Sequence, residues 1–103
     1  MTIEYKHGLP LAEAKERLRA LGDYLQNRHG IAVTWDPSGE RASVRGKYMV
    51  VTIEGAVTFR DGAVHFDGKD PGFLWRGKAK DYLLGKLQKY LDPKTPLADL
   101  PRR

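Results

Sequence analysis

Hydrophobic and polar residues alternate from Tyr48 to Phe66, and this alternation is the clearest structural signal in the chain. Side chains of a β-strand point alternately to its two faces, so an alternating pattern predicts a strand with one buried face. The apolar set is Met49, Val51, Ile53, Val57 and Phe59, and the polar set is Thr52, Glu54, Thr58 and Arg60. We therefore expect the apolar set to face a core.

The dipeptide Asp61-Gly62 predicts where this strand turns back on itself. Asp-Gly suits a type I′ turn, whose two central residues both need positive φ angles and whose twist matches that of a hairpin. A two-residue turn here places Phe59 opposite Val64 and Val57 opposite Phe66. Because both pairs are apolar, the turn and the alternation agree on a central β-hairpin.

Gly55 interrupts the apolar face of the predicted strand. A glycine inside a strand is typical of a β-bulge or of a place where another element approaches the backbone closely. The sequence leaves both alternatives open.

A first amphipathic helix is predicted before the hairpin. Its apolar positions fall on one stripe, because they recur at helical spacing, and charged residues that include Arg17 occupy the rest of the helix surface. The stripe consists of Ala14, Leu18, Leu21 and Leu25. Pro10 suits the first turn, where its missing N–H costs nothing, and Gly30 suits the left-handed residue that ends many helices.

A second amphipathic helix is predicted near the C-terminus. Asp70 is expected to cap it and Pro71 to occupy its first position, and Asp92-Pro93 should end it near Leu91. Its apolar face consists of Ala79, Leu83, Leu87 and Tyr90. The two glycines in this segment lower its helix propensity, so we expect the helix to depend on tertiary packing.

Shorter alternating runs predict the remaining strands. Residues Thr2 to Lys6 form a candidate first strand, and Ile31, Val33 and Trp35 alternate with polar neighbours before an Asp-Pro-Ser-Gly turn. Ala42 to Arg45 are expected to form a short return strand, with Gly46-Lys47 as the connection into the hairpin. Trp35 is expected to lie in the core.

These elements predict an α+β fold. We expect an antiparallel sheet of four to five strands in the order β-α-β-β-β-β-α, with both amphipathic helices packed on one face. Residues 1–92 would form a single α+β domain, and residues 93–103 an irregular, basic, proline-containing tail. Val50, Ala56 and Ala63 would lie on the opposite face of the sheet among polar residues, where they could meet solvent or a partner.

Composition narrows the class of protein. The chain has 103 residues and 41% hydrophobic content, which is enough for one hydrophobic core. Its formal net charge of +5 favours acidic partners. Cysteine is absent, which excludes a disulfide scaffold and thiolate metal sites. No signal-peptide pattern or membrane-spanning run is present in the sequence, so we expect a soluble, cytoplasmic protein.

Several of these features together resemble the polyhydroxyalkanoic acid system family. The resemblance is carried by His7 and Leu9 before the first helix, Ala14 and the leucines within it, Trp35 before the Asp-containing turn, and Gly55 in the alternating strand. It extends over nearly the whole chain, from Ile3 to Leu91. It implies a bacterial cytoplasmic protein encoded near polyester-storage functions, and it implies no particular reaction or catalytic residues.

Motifs for catalysis or metal binding are not found in the sequence. His7, His29 and His65 lie in different predicted elements without metal-ligand spacing, and His7 is expected to bond to the backbone. Ser38 and Ser43 lack the context of an activated nucleophile, and the glycines form no phosphate-binding loop. We therefore expect a protein that is not an enzyme and that has no catalytic residues, metal site or cofactor.

The second helix carries the most informative polar feature, which we call the lysine flank. It comprises Lys78, Tyr82, Lys86 and Lys89 at positions i, i+4, i+8 and i+11, with Arg76 nearby. Cations around an aromatic side chain can contact nucleic acid, another polyanion or an acidic protein, although a solvated lysine face is also typical of surface helices. Trp75 either anchors the helix start in the core or is a contact residue.

The sequence therefore supports several hypotheses about function. The first is a small non-enzymatic association protein that binds a storage-granule surface, a granule-associated protein or a second copy of itself. The second is a nucleic-acid or polyanion-binding module that uses the lysine flank. The third is a carrier of a small apolar ligand in a pocket between helices and sheet.

Overall fold

The computed structural model describes residues 1–48 and 50–103. Within these residues the elements follow the predicted order and confirm the α+β fold. They are β1 Thr2–Lys6, α1 Leu11–His29, β2 Ala32–Trp35, β3 Arg41–Tyr48, β4 Val51–Arg60, β5 Ala63–Gly68, α2 Arg76–Tyr90 and a short 3₁₀ helix Leu97–Asp99. Met49, which the alternation assigns to the inward face, lies outside the described residues.

The five strands form one antiparallel sheet in the order β1-β5-β4-β3-β2. Its centre is the predicted hairpin of β4 and β5, in which Phe59 pairs with Val64 and Val57 pairs with Phe66. Gly62 in the connecting turn has a φ angle of 73°. Turn chemistry and the alternation therefore set the register that the sequence predicts.

Both helices pack on one face of the sheet. Leu25 of α1 and Leu87 of α2 belong to the same buried cluster as Val44 and Val64 from the strands. Most side chains on the opposite, outer face are exposed or half-buried. Val50, predicted on that face, lies instead in the turn between β3 and β4.

Trp35 packs on the inner face, as expected for a core residue. Its ring stacks on Phe59 with 5.2 Å between ring centroids, and the Arg19 guanidinium lies 4.1 Å from the Trp35 ring. The indole is half-buried, and Arg19 of α1 covers part of its surface. A cation over an indole face is the most favourable cation–π arrangement.

Gly55 marks a close approach and not a bulge. The pairing of β4 with β3 and β5 runs through Gly55 without interruption, and Gly55 pairs with Gly68 on β5. A Cβ atom on Gly55 would lie 2.7 Å from the Gly68 Cα and 2.8 Å from the Phe66 ring. Phe66 therefore packs over the space that two side chains would otherwise fill.

The prediction that Gly46-Lys47 connects two strands is wrong. β3 continues through both residues to Tyr48, and Gly46 pairs with Ile53 of β4. A Cβ atom on Gly46 would lie 2.8 Å from the Ile31 Cα. The glycine thus serves the packing of Ile31 against β3, a contact between residues that are distant in the chain.

The start of the second helix is also predicted wrongly. α2 begins at Arg76 rather than at Pro71, and its N-cap residue is Trp75. Gly72 has a φ angle of 103°, which is incompatible with a helix that starts before it. Asp70 does not cap α2; its carboxylate accepts a hydrogen bond of 2.9 Å from the Gly72 N–H.

The first helix ends as predicted, but its start is shifted slightly. Gly30 adopts the left-handed conformation and closes the helix, and Pro10 stands just before it as the N-cap residue. Arg17, which was expected on the helix surface, is only 2% exposed. Its environment includes the end of α2 and is discussed below.

The C-terminal residues pack back onto α1. Leu100 is buried, and the Tyr90 hydroxyl donates a hydrogen bond to the Pro101 carbonyl. Arg102 forms an ion pair with Asp23 at 2.7 Å. This segment therefore contributes to the core although most of it has no regular secondary structure.

Candidate functional site

An apolar cavity of about 160 Å³ lies between α2 and the ends of β4 and β5. Apolar and aromatic side chains dominate its lining: Met1, Tyr48, Val51, Ile53, Phe66, Pro71, Trp75, Ala79, Tyr82 and Leu83. The polar residues that complete the lining are Thr52, Glu54, Lys69 and Lys78. A concave apolar site with a few polar groups is the usual form of a ligand-binding pocket.

Three large hydrophobic side chains are exposed in segments that also contribute residues to the cavity lining, and we call them the apolar rim. Phe73 is 85% exposed, Leu74 is 79% exposed and Val50 is 74% exposed. Leu74 is followed by Trp75, and Val50 by Val51, and both of these neighbours line the cavity. Large apolar residues exposed together mark surfaces that meet a partner or an apolar phase.

The loop that carries Phe73 and Leu74 is held by short-range hydrogen bonds. The Gly72 carbonyl accepts hydrogen bonds from the Trp75 and Arg76 N–H groups at 3.1 and 3.0 Å. Asp70 also pairs with the Arg76 guanidinium at 2.6 Å. The Arg76 guanidinium and the Gly72 N–H both stabilise the carboxylate, and they lower the pKa of Asp70 below its ordinary value. The turn is thus fixed at both ends while its two apolar tips extend into solvent.

Comparison with known protein families shows which family the chain belongs to. A family model described as "Putative polyhydroxyalkanoic acid system protein (PHA_gran_rgn)" matches residues 1–94. The chain belongs to the polyhydroxyalkanoic acid system family. The match confirms the resemblance seen in the sequence, and the matched range includes the whole cavity and its rim. No curated protein and no solved structure gives a significant match.

In this member of the polyhydroxyalkanoic acid system family, the residues of the predicted lysine flank have different environments. Tyr82 and Lys78 line the cavity together with Trp75, whose ring centroid is 5.4 Å from the Lys78 Nζ. Lys89 is exposed, and Arg76 is engaged with Asp70. The flank is therefore not one continuous solvent-facing cationic strip.

Lys86 is the flank residue that departs most from its expected place. Its Nζ lies 4.4 Å from the Tyr24 ring centroid and 5.5 Å from that of Tyr82, so the ammonium bridges α1 and α2. Helical spacing predicted that Lys86 lies on the solvent side of the apolar face of α2. A lysine that lies over aromatic rings contributes to helix packing as well as to surface charge.

An aromatic cluster closes one side of the cavity. The Tyr48 and Tyr82 rings are 4.5 Å apart, and the His29 ring is 4.9 Å from Tyr48. Burial, with the added effect of Arg28 and Lys86, lowers the pKa of His29. The neutral imidazole is therefore the favoured form in this cluster.

The Tyr82 hydroxyl is buried and has no hydrogen-bond partner among the described residues. Burial, reinforced by the neighbouring tyrosines, raises the pKa of Tyr82 to about 12. The hydroxyl is therefore protonated at neutral pH and has a donor to offer. Buried hydroxyls are usually paired, so this one is an exception to the general pattern.

The histidines do not assemble into a site. His7 Nδ1 accepts a hydrogen bond of 3.2 Å from the Leu9 N–H, as expected for a residue bonded to the backbone, and burial lowers its pKa. Across residues 1–48 and 50–103 no three His, Asp or Glu side chains lie close enough to hold a metal ion. No helix in the same residues is both long and apolar enough to cross a membrane.

Sequence reasoning missed the exposure of Phe73 and Leu74. The expectation of a helix from Pro71 placed both of them inside regular structure, where apolar residues normally pack. The available signal was the run Gly72-Phe73-Leu74-Trp75, in which three bulky apolar residues directly follow a Pro-Gly pair. Pro-Gly favours a turn, and apolar residues that follow a turn can be presented to solvent.

Proposed function

We propose that this protein is a non-enzymatic association protein that binds the apolar surface of a polyester storage granule through its apolar rim. The observation that carries the proposal is the exposure of Phe73, Leu74 and Val50, in segments whose neighbouring residues line the cavity. The family's description, which names the polyhydroxyalkanoic acid system, supplies the kind of surface. The proposal includes a cytoplasmic location, which the sequence predicts.

The rim has the physical properties that such binding requires. Burying one large apolar side chain contributes about 1.5–3 kcal/mol, so two or three of them together offset much of the cost of association. The loop between Asp70 and Arg76 is held by hydrogen bonds, so little conformational entropy is lost when its tip is buried. Burial of the tip also needs no unfolding of α2.

A variant with both loop tips made polar tests the proposal. Phe73→Ser with Leu74→Ser should reduce binding to polyester particles at least about tenfold, since each lost contact is worth more than 1.4 kcal/mol. Both side chains are exposed, so thermal stability should change little. Ala32→Ser, an exposed change on the outer sheet face away from the rim, is the control and should bind normally.

Salt dependence separates this function from polyanion binding by the lysine flank. Apolar association should persist between about 50 and 200 mM salt, whereas binding to mixed-sequence DNA or RNA should weaken steeply because it depends on counterion release. Co-sedimentation with particles and fluorescence anisotropy with nucleic acid measure the two. Failure of the wild type to bind particles at every salt concentration would overturn direct granule contact and favour a role through a partner protein.

A further inference from the structure

The cavity behind the apolar rim is large enough for a small molecule. Its volume of about 160 Å³ is close to the roughly 150 Å³ of an apolar cavity that holds a benzene-sized ligand. Phe66, Leu83 and Ile53 form an apolar wall in it, and this wall has no polar group that could hold an ordered water. A ligand of about six carbon atoms therefore matches the apolar part of the space.

Charged residues among the cavity lining indicate the polar end of the ligand. Lys69 and Lys78 both line the cavity, against one carboxylate from Glu54, so the lining carries a net positive charge. Neither lysine forms an ion pair with any of the described residues. An anionic group at this position would gain charge-assisted hydrogen bonds without breaking an existing pair.

We propose that the cavity binds a small apolar monocarboxylate of about six carbons. The hydrocarbon part packs against Phe66 and Leu83, and the carboxylate lies toward Lys69 and Lys78. This goes beyond granule association, because the ligand is a soluble molecule held behind the rim. Binding of such a ligand can be measured without particles, so failure of one proposal leaves the other standing.

Titration of the ¹⁵N-labelled protein with hexanoate tests the proposal. We expect saturable chemical-shift changes centred on residues that line the cavity, such as Ile53, Ala79 and Leu83. Acetate, which lacks the chain, and hexylammonium, which reverses the charge, should each bind at least about tenfold more weakly at equal ionic strength. Equal binding of all three, shifts centred elsewhere, or no saturation with hexanoate would overturn it.

Variants separate the roles of the head group and the chain. Lys78→Gln should weaken hexanoate binding at least about fivefold, whereas Lys80→Gln, an exposed change on the same helix outside the cavity lining, should leave it unchanged. Ala79→Leu should abolish binding by filling the cavity while it preserves the helix. Equal effects of Lys78→Gln and Lys80→Gln would mean that general charge and not the cavity attracts the anion, which contradicts the proposal.

Discussion

Arg17 lies on α1 but acts at the end of α2. Its Nη1 donates hydrogen bonds to the Tyr90 and Asp92 carbonyls at 3.2 and 3.0 Å, and its Nη2 pairs with Glu13 at 3.3 Å. The last carbonyls of a helix lack partners within the helix, and a cation there also interacts favourably with the helix dipole. One buried guanidinium thus satisfies the C-terminus of α2 and ties the two helices together.

Arg17→Leu should lower the free energy of unfolding by about 3 kcal/mol, because it leaves buried carbonyls without donors although it keeps the apolar volume. Urea unfolding followed by circular dichroism measures the change. Glu16→Gln, at an exposed position of the same helix, is the control and should stay within about 0.5 kcal/mol of the wild type. A loss below about 1 kcal/mol for Arg17→Leu would show that the carbonyls find other partners.

At the scale of elements, the β4–β5 hairpin organises the sheet and separates its two faces. Phe59 is buried on the inner face and stacks on Trp35, while its neighbour Thr58 lies on the outer face. Thr58 pairs in register with Arg41 on one side and His65 on the other. Adjacent residues of one strand therefore face a dry core and a polar surface.

This difference between faces predicts opposite outcomes for the same substitution. Phe59→Asp should cost at least about 4 kcal/mol and unfold much of the population, since it removes apolar contacts and buries a charge. Thr58→Asp should change stability by less than about 1 kcal/mol, because the new carboxylate lies opposite Arg41. Thermal unfolding of both variants gives the comparison, and similar melting temperatures would contradict the assigned faces.

At the scale of the whole molecule, the irregular C-terminal segment contributes a residue to the core. Leu100 is 4% exposed in the same cluster as Leu25 and Leu87, and the Asn27 side chain donates a hydrogen bond to the Arg102 carbonyl at 2.8 Å. The family match ends at residue 94, so these contacts lie beyond the matched range. The C-terminal segment therefore adds contacts to α1 and to the core beneath it.

Leu100→Ala should therefore lower the free energy of unfolding by about 2–4 kcal/mol, as large-to-small changes do at buried positions. Lys94→Ala, an exposed change in the same segment, should have an effect below about 0.5 kcal/mol. Chemical denaturation of the two variants measures both values. An equally small loss for Leu100→Ala would mean that the segment rests on the surface without contributing to the core.

Features that depend on neighbours along the chain could be predicted from the amino-acid sequence alone. Alternation predicted the faces of β4, Asp61-Gly62 predicted the hairpin register, and Gly30 predicted the end of α1, because strand geometry, turn geometry and helix termination are local properties. The order of elements and the stacking of both helices on one sheet face followed from burying their apolar faces.

Features that depend on residues far apart in sequence could be read only from the packed structure. Position 46 needs a glycine because Ile31 packs against it, and Arg17 is buried because the C-terminus of α2 meets it. Phe73 and Leu74 are exposed because the turn at Gly72 delays the start of α2 until Arg76. Periodicity cannot show such contacts, since it records which face a residue occupies and not what lies opposite that face.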